Sequence, residues 1–370
     1  MGEDGVQVEF VGITDAGLVR ARNEDWFAVG DLDRGALADT GQVLRSDGAR
    51  GPLFVVCDGM GGVAGGEVAS RLAVSTVWKE MVGSRSTPER AVFARHLRRA
   101  IRAAHRQVMD EALARPELRG MGTTVSAAGV VGGALLIAQV GDSRGYIERS
   151  STLTQVTRDQ SVVSALVHAG RLSEIEARLS EKRSLILQAL GTGEDVDVAI
   201  SLVELRRGDR LLLCSDGLHG PVNDEALRHT LAEHPDLDGA STALLGLARQ
   251  AGAPDNVTVI LARFTGDRLP LPDGEDRPRF AELDPNEESD GALTSTSFVG
   301  RRLAARAGLR ADSIPPPIPA TGQHRVVRSP LEAEPARAAL AQGSRLGLLA
   351  WVLVAVIALA ILVLLFGDVL

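Results

Sequence analysis

The sequence predicts an α+β globular domain, followed by a disordered linker and one membrane-spanning helix. Three observations predict this. Short apolar runs recur through the first 265 residues and stop at Asp-Gly or Gly-Asp, as in FVVCDG, AQVGD and LLLCSDG; runs bounded in this way read as buried strands feeding tight turns. Two longer segments among them repeat their apolar residues at helical spacing. After Thr265 the composition turns to Pro, acidic residues, Ser/Thr and Gly, until residues 346–366 form an uncharged, mostly apolar stretch.

In chain order, the first marker is the acidic pair Glu24 and Asp25 in GLVRARNEDWFAV, just before an apolar stretch. The run ending at Asp58 follows, and the glycines after it permit close backbone approach. Helices are expected over 66–82 and 87–114. The second carries Phe93, Leu97, Ile101, Ala104 and Val108 three to four residues apart, with Arg95, Arg98, Arg99, Arg102 and Arg106 on its other faces as a solvated surface. Residues 123–131 and 134–140 read as a hairpin turned at Gly132-Gly133. Asp142 ends that hairpin. Strands over 211–214 and 257–263 bring Asp216 and Asp255 to strand ends as well, so the acids are expected around one cleft. Gathered there they need cations, and oxygen donors with few His or Cys companions favour Mg²⁺ or Mn²⁺ over zinc.

Composition excludes other classes. With 370 residues, 45% of them hydrophobic, the chain can bury one large core or two modest ones. A net charge of −8 leaves no basic stripe to neutralise a duplex, and 3% aromatic content leaves little to stack on single strands, so nucleic acid is not expected as a partner. The two cysteines, Cys57 and Cys214, sit inside apolar runs without zinc spacing and read as buried hydrophobes of a reduced compartment.

The N-terminus shows neither a secretory signal nor a myristoylation pattern. Residues 1–265 are expected to form the globular domain and 266–344 a disordered linker, including the tract Ile314-Pro-Pro-Pro-Ile-Pro-Ala. Segment 345–367 is expected to be a transmembrane helix, because its apolar run is long enough to cross about 30 Å of hydrocarbon. Arg325, Arg328, Arg337 and Arg345 precede it and no Lys or Arg follows, which predicts a tail anchor in the inner membrane with the globular domain in the cytoplasm.

A carboxylate that bridges two divalent ions positions and acidifies a water for in-line attack on a phosphate ester. Asp58, within DGMGG, is the best bridging candidate. The ordered set RARNED, DGMGG, GGEVAS, GTTVSA, VGDSRGY, RDQSVV, SDGL and PDNVTV resembles the metal-dependent protein serine/threonine phosphatases, the type 2C family, and especially its bacterial branch. The resemblance covers about residues 6–264. It implies a four-layer α/β/β/α sandwich of two antiparallel sheets flanked by helices, with a metal cleft at one edge between the sheets. It further implies that Asp58 bridges two core ions and that the Gly59 carbonyl binds one of them. Asp216 and Asp255 would complete the first ion's shell, and Glu24 and Asp25 would act largely through bound water on the second ion. Asp142, with Asp216, would hold a possible third. Arg20 stands where the family places its phosphate-binding arginine, and a guanidinium fork suits phosphate oxygens on physical grounds alone. Its competitor is Arg22, which would share its face in a strand. Residues 158–190 look like the flap of bacterial relatives.

Two departures matter. Met60 stands where animal relatives carry a His thought to protonate the leaving oxygen, and Val63 stands where many bacterial members carry another, so the general acid stays unassigned. His219, just beyond SDGL, reads as an exposed or locally bonded turn residue. Ser143 and Ser215 lack the G-x-S-x-G elbow of a nucleophile. The expected function is hydrolysis of phospho-Ser and phospho-Thr in proteins, opposing a membrane-associated Ser/Thr kinase. The alternatives are a non-catalytic phosphoprotein-binding or sensory module, and a metal-dependent phosphodiesterase or nuclease, which the acidic charge disfavours.

Overall fold

The computed structural model describes residues 5–61, 65–274 and 276–283. The chain begins with β1 (Gln7–Asp15), β2 (Asp25–Asp31), β3 (Ala36–Leu37), β4 (Leu44–Ser46) and β5 (Pro52–Met60), then the helices α1 (Gly65–Gly83) and α2 (Arg90–Ala114). A second run of strands follows: β6 (Gly122–Thr123), β7 (Val125–Val131), β8 (Ala134–Val140), β9 (Arg144–Arg149) and β10 (Thr152–Gln155). Two short helices, α3 (Val162–His168) and α4 (Glu174–Leu179), lead to β11 (Ala199–Glu204) and β12 (Arg210–Cys214). The remainder is α5 (Asp216–His219), α6 (Asp224–Glu233), α7 (Leu237–Gln250), β13 (Val257–Thr265) and β14 (Phe280–Glu282).

Two antiparallel sheets result, with orders β10-β9-β12-β13-β1-β4 and β14-β11-β8-β7-β5-β2-β3, and β6 pairs β5 beside the second. Three apolar layers stack through them. Phe10, Phe54, Ile137, Ile147, Leu213 and Ile260 fill the space between the sheets, with the Phe10 and Phe54 rings edge to face at 5.6 Å. Leu53, Val55 and Cys57, the alternate residues of β5, pack outward against Ala73, Val77, Leu97 and Ile101 of α1 and α2. On the opposite outer face Leu212, Cys214, Val259 and Leu261 meet Leu227, Leu231 and Leu244 of α6 and α7. Strands covered on both faces must be apolar at every position, which explains why FVVC and LLLC read as unbroken runs. The four layers and two antiparallel sheets match the expectation.

Local chemistry sets the element ends. The hairpin turns at Gly132-Gly133, both at positive φ, with Val131 paired to Ala134. Helix α2 begins at Arg90, three residues later than its periodicity suggests. Pro88 disfavours helical backbone at Thr87, and Glu89 caps in an extended conformation. The two flap helices are each capped by serine, Ser161 and Ser173, the latter in a capping box with Glu176.

The fold also continues past the expected boundary at residue 265. β14 pairs with β11, Leu283 packs on the core beneath α1 and α2, and Asp276 accepts from Arg149 and Arg206. This part of the expected linker is therefore ordered by edge pairing and ion pairs, which composition does not reveal. Among the described residues no helix is long and apolar enough to cross a membrane. The expected transmembrane run and residues 284–344 of the linker lie outside them.

Candidate active site

Loop 16–24 carries Arg20, Arg22 and Glu24 into β2, so the two arginines are on a loop and not on one face of a strand. Asn256 clamps this loop. Its Nδ2 donates to the Ala16 and Arg22 carbonyls at 2.9 Å each, and its Oδ1 accepts from Glu24 N at 2.8 Å. Asp25 begins β2 directly opposite Asp58 of β5, a like-charge cross-strand pair that repels when both are ionised. Ser215 and Thr258 each donate to Asp25 Oδ2 at 2.7 Å. Asp25 Oδ1 is buried with no partner.

Asp58 is held through its backbone. Thr124 Oγ1 accepts from Asp58 N, and Thr123 Oγ1 and Thr124 N donate to Asp58 O; this is the structural use of the GTTVSA motif. Glycine is required beside it, because a Cβ on Gly59 would lie 2.2 Å from Gly66 O and 2.5 Å from Glu24 O. Asp142 follows Gly141, whose φ of +103° suits glycine and whose N–H donates to Gln160 Oε1 at 2.8 Å. Asp216 opens α5, and its Oδ1 is likewise buried without a partner. Asp255 lies at the rim, where its Oδ2 accepts from Arg20 Nη2 at 2.6 Å.

The electrostatics follow from this crowding. Asp58 is raised well above the usual carboxylate range, by burial first and then by Asp25, Asp216, Asp142 and Asp255. Burial, with Asp216 and Asp255, pushes Asp25 up to about 7 against the hydrogen bonds from Thr258 and Ser215. Asp142 rises to about 8, chiefly through burial and then through Asp216 and Asp159. Asp216 is raised by burial and Asp255, and Glu24 by burial. Cys57 and Cys214 are buried thiols pushed up by desolvation, so they stay protonated and out of the ligand set.

The structure places Arg20, Glu24, Asp25, Asp58, Asp142, Asp216 and Asp255 within electrostatic reach of one another, with Gly59 beside Glu24. Among the described residues no group of three or more His, Cys, Asp or Glu is gathered closely enough to hold a metal ion. Orphaned carboxylate oxygens, mutual repulsion and an all-oxygen donor set fit divalent cations of the hard class. Sequence reasoning missed Ser215 as a ligand orienter, Thr258 and Asn256. His219 was expected as an exposed or locally bonded turn residue; instead it is partly buried, with Nε2 3.2 Å from the Asp142 carbonyl oxygen. Together with Arg144, Asp159 and Asp224 it lines a cavity of about 400 Å³ between the flap and the core.

The sequence model of the protein phosphatase 2C family matches residues 37–255. The chain belongs to the protein phosphatase 2C family. Over 251 residues this 2C member is 34% identical to the serine/threonine phosphatase stp of Listeria welshimeri, a match covering 67% of this chain and 92% of that one. It is 37% identical over 291 residues to the serine/threonine protein phosphatase PstP of Mycobacterium tuberculosis, covering 79% of this chain but 51% of the relative, so the match spans about half of that protein. Among solved structures, the catalytic domain of PstP in complex with two manganese ions superposes with a TM-score of 0.58 at 36% identity, covering 70% of this chain and 99% of that one. These 2C relatives are bacterial, as the motifs predict.

Proposed function

We propose that this chain is a Mn²⁺- or Mg²⁺-dependent phosphatase of phospho-Ser and phospho-Thr proteins, tethered to the inner face of a bacterial membrane where it opposes a Ser/Thr kinase. The observation that carries the catalytic reading is the buried cluster of Asp25, Asp58, Asp142 and Asp216, whose burial and mutual repulsion outweigh the offset from Arg20 and Arg144. Asp58, Asp25, Glu24, Asp216, Asp255 and the Gly59 carbonyl would hold two core ions, with Asp142 and Asp216 for a third. When bound, such ions acidify the attacking water and neutralise phosphoryl charge.

The protein's own residues then orient and exclude. Arg20 presents a guanidinium fork to phosphate oxygens, and Asn256 fixes the loop that carries it. Ser215 and Thr258 hold the Asp25 carboxylate in one orientation. Met60 offers no proton to the leaving oxygen. The tether rests on the apolar run 346–366 and the arginines before it.

Hydrolysis of a phosphothreonine peptide by the full chain, with Mn²⁺ and with chelator, tests the reading beside Asp58→Asn and Asp216→Asn. Metal-dependent turnover lost in both variants is expected. A folded, Mn²⁺-loaded protein without turnover would move the assignment to a phosphoprotein-binding module. Release of the chain from membranes on deleting 346–366 tests the tether separately.

A further inference from the structure

We propose that the acidic segment 284–290, which follows Leu283 in the sequence, docks along an arginine stripe on α2. Arg95, Arg99, Arg102 and Arg106 follow one another at spacings of four, three and four, so they share one face of α2, opposite the buried Leu97, Ile101 and Ala104. Arg95, Arg99 and Arg106 are exposed. In the stripe, one ion contact is made among the described residues, Arg102 to Asp195 at 3.9 Å. At about 1.5 Å per residue the stripe runs about 17 Å. Four like charges in that length repel one another, and they do so in a chain whose net charge is −8.

The exit of the chain points at this stripe. Arg90 near the start of α2 bonds Glu204 at the end of β11, while Arg102 and His105 face Asp195 and Gly191, upstream of the start of β11. Helix α2 therefore runs antiparallel to β11. β14 is antiparallel to β11 as well, with Val203 opposite Phe280 and Ser201 opposite Glu282. From Phe280 to Leu283 the chain thus travels in the direction of α2, toward the level of Arg102 and Arg106. Leu283 packs on the core beneath the helices, and its N–H donates to Ile200 O at 2.9 Å. The next residues carry Asp284, Glu287, Glu288 and Asp290, with no Lys or Arg between them. Extended, seven residues can reach about 23 Å, enough to span the stripe of about 17 Å.

Four carboxylates thus meet four guanidiniums, delivered at the right edge and in the right direction. That match favours the chain's own segment over anionic lipid headgroups, which would need no particular exit point. Exposed pairs are individually weak, so the dock is a salt-sensitive clasp.

Cleavage after Glu287 and Glu288 by a glutamate-specific protease, using the full chain in detergent micelles, tests the proposal. Wild type is expected to be cleaved slowly at low salt, and about tenfold faster when Arg95, Arg99, Arg102 and Arg106 are all changed to Gln, or in roughly 1 M salt, where charges are screened beyond about 3 Å. Changing the same four to Lys keeps the charge and is expected to keep the protection, and a carbodiimide should then join the substituted positions to the acidic segment. Hydrolysis of a phosphothreonine peptide should be unchanged throughout, which confirms the fold of each variant. Equal cleavage rates in wild type, the Gln variant and high salt would overturn the proposal. So would loss of binding to phosphatidylglycerol vesicles by the Gln variant with cleavage unaltered, which would assign the stripe to a lipid surface.

Discussion

Arg20 Nη2 and Asp255 Oδ2 lie 2.6 Å apart, so the cation suited to substrate phosphate rests on one of the acids suited to a metal ion. Both side chains are partly exposed, at 53% and 33%, and a pair in that setting contributes little to stability. It is therefore exchangeable, and phosphate can take the guanidinium without unfolding anything.

Arg20→Ala is expected to lower kcat/KM for a phosphopeptide about a hundredfold, in line with losing one charged donor to a developing oxyanion, while the melting temperature stays within a degree or two of wild type. Arg20→Lys should recover only part of the rate, because a point charge lacks the fork. Steady-state kinetics beside thermal unfolding distinguish this from a structural role, in which stability would fall with rate.

The carboxylate cluster predicts an unusual pH dependence for the metal-free protein. Asp25 and Asp142 titrate at about 7 and about 8 in the fold, against about 3.9 in an unfolded chain. The folded state keeps protons that the unfolded chain has already lost, so its stability declines as pH rises from about 4 through about 8. Melting temperatures in chelator should fall across that window, and saturating Mn²⁺ should abolish the slope. A flat profile in chelator would count against the crowding of these acids.

Ser215 and Thr258 orient the Asp25 carboxylate from the buried side. Removing either hydroxyl, by Ser215→Ala or Thr258→Val, is expected to weaken Mn²⁺ binding about 10- to 100-fold, the usual cost of losing a partner behind a metal ligand. Mn²⁺ titration by calorimetry reads this directly, and unchanged affinity would show that Asp25 is held by its backbone alone.

Arg149 donates to Asp209, whose side chain is fully buried, and also to Asp276 and the Glu204 carbonyl. Arg149→Met should destabilise the domain by about 3–5 kcal/mol, because it strands the Asp209 charge in the interior. Adding Asp209→Leu should restore part of that loss. Urea denaturation of the single and double variants measures both.

Much of this was legible in the sequence, for a definite reason. Asp58, Asp142 and Asp216 each end an apolar run, and a strand buried on both faces advertises itself by that run and by the polar residue that stops it. The Gly132-Gly133 turn was equally visible. Ser215, Thr258 and Asn256 were harder, since a hydroxyl or amide beside an apolar stretch looks the same whether it orients a ligand or caps a turn; only the cross-chain partner decides. β14 was hidden because Phe280–Glu282 is three residues long and lies in a Pro-rich, charged context. The placement of Arg20 against Arg22 was misjudged in its backbone, since loop 16–24 takes its shape from Asn256, more than two hundred residues away.

The pairing of β1 with β13 joins Gln7 to Thr265 and Asp15 to Val257, so the first strand of the domain and one of its last are neighbours in the middle of one sheet. During synthesis the amino-terminal strand waits for that neighbour until some 250 residues have been made. Until then Asp255, Asn256 and the Thr258 hydroxyl are missing from the cleft. A nascent chain on the ribosome accordingly has the Asp58 turn but no complete site, and long-range closure of this kind is slow. The cleft can therefore be completed only once translation has passed β13.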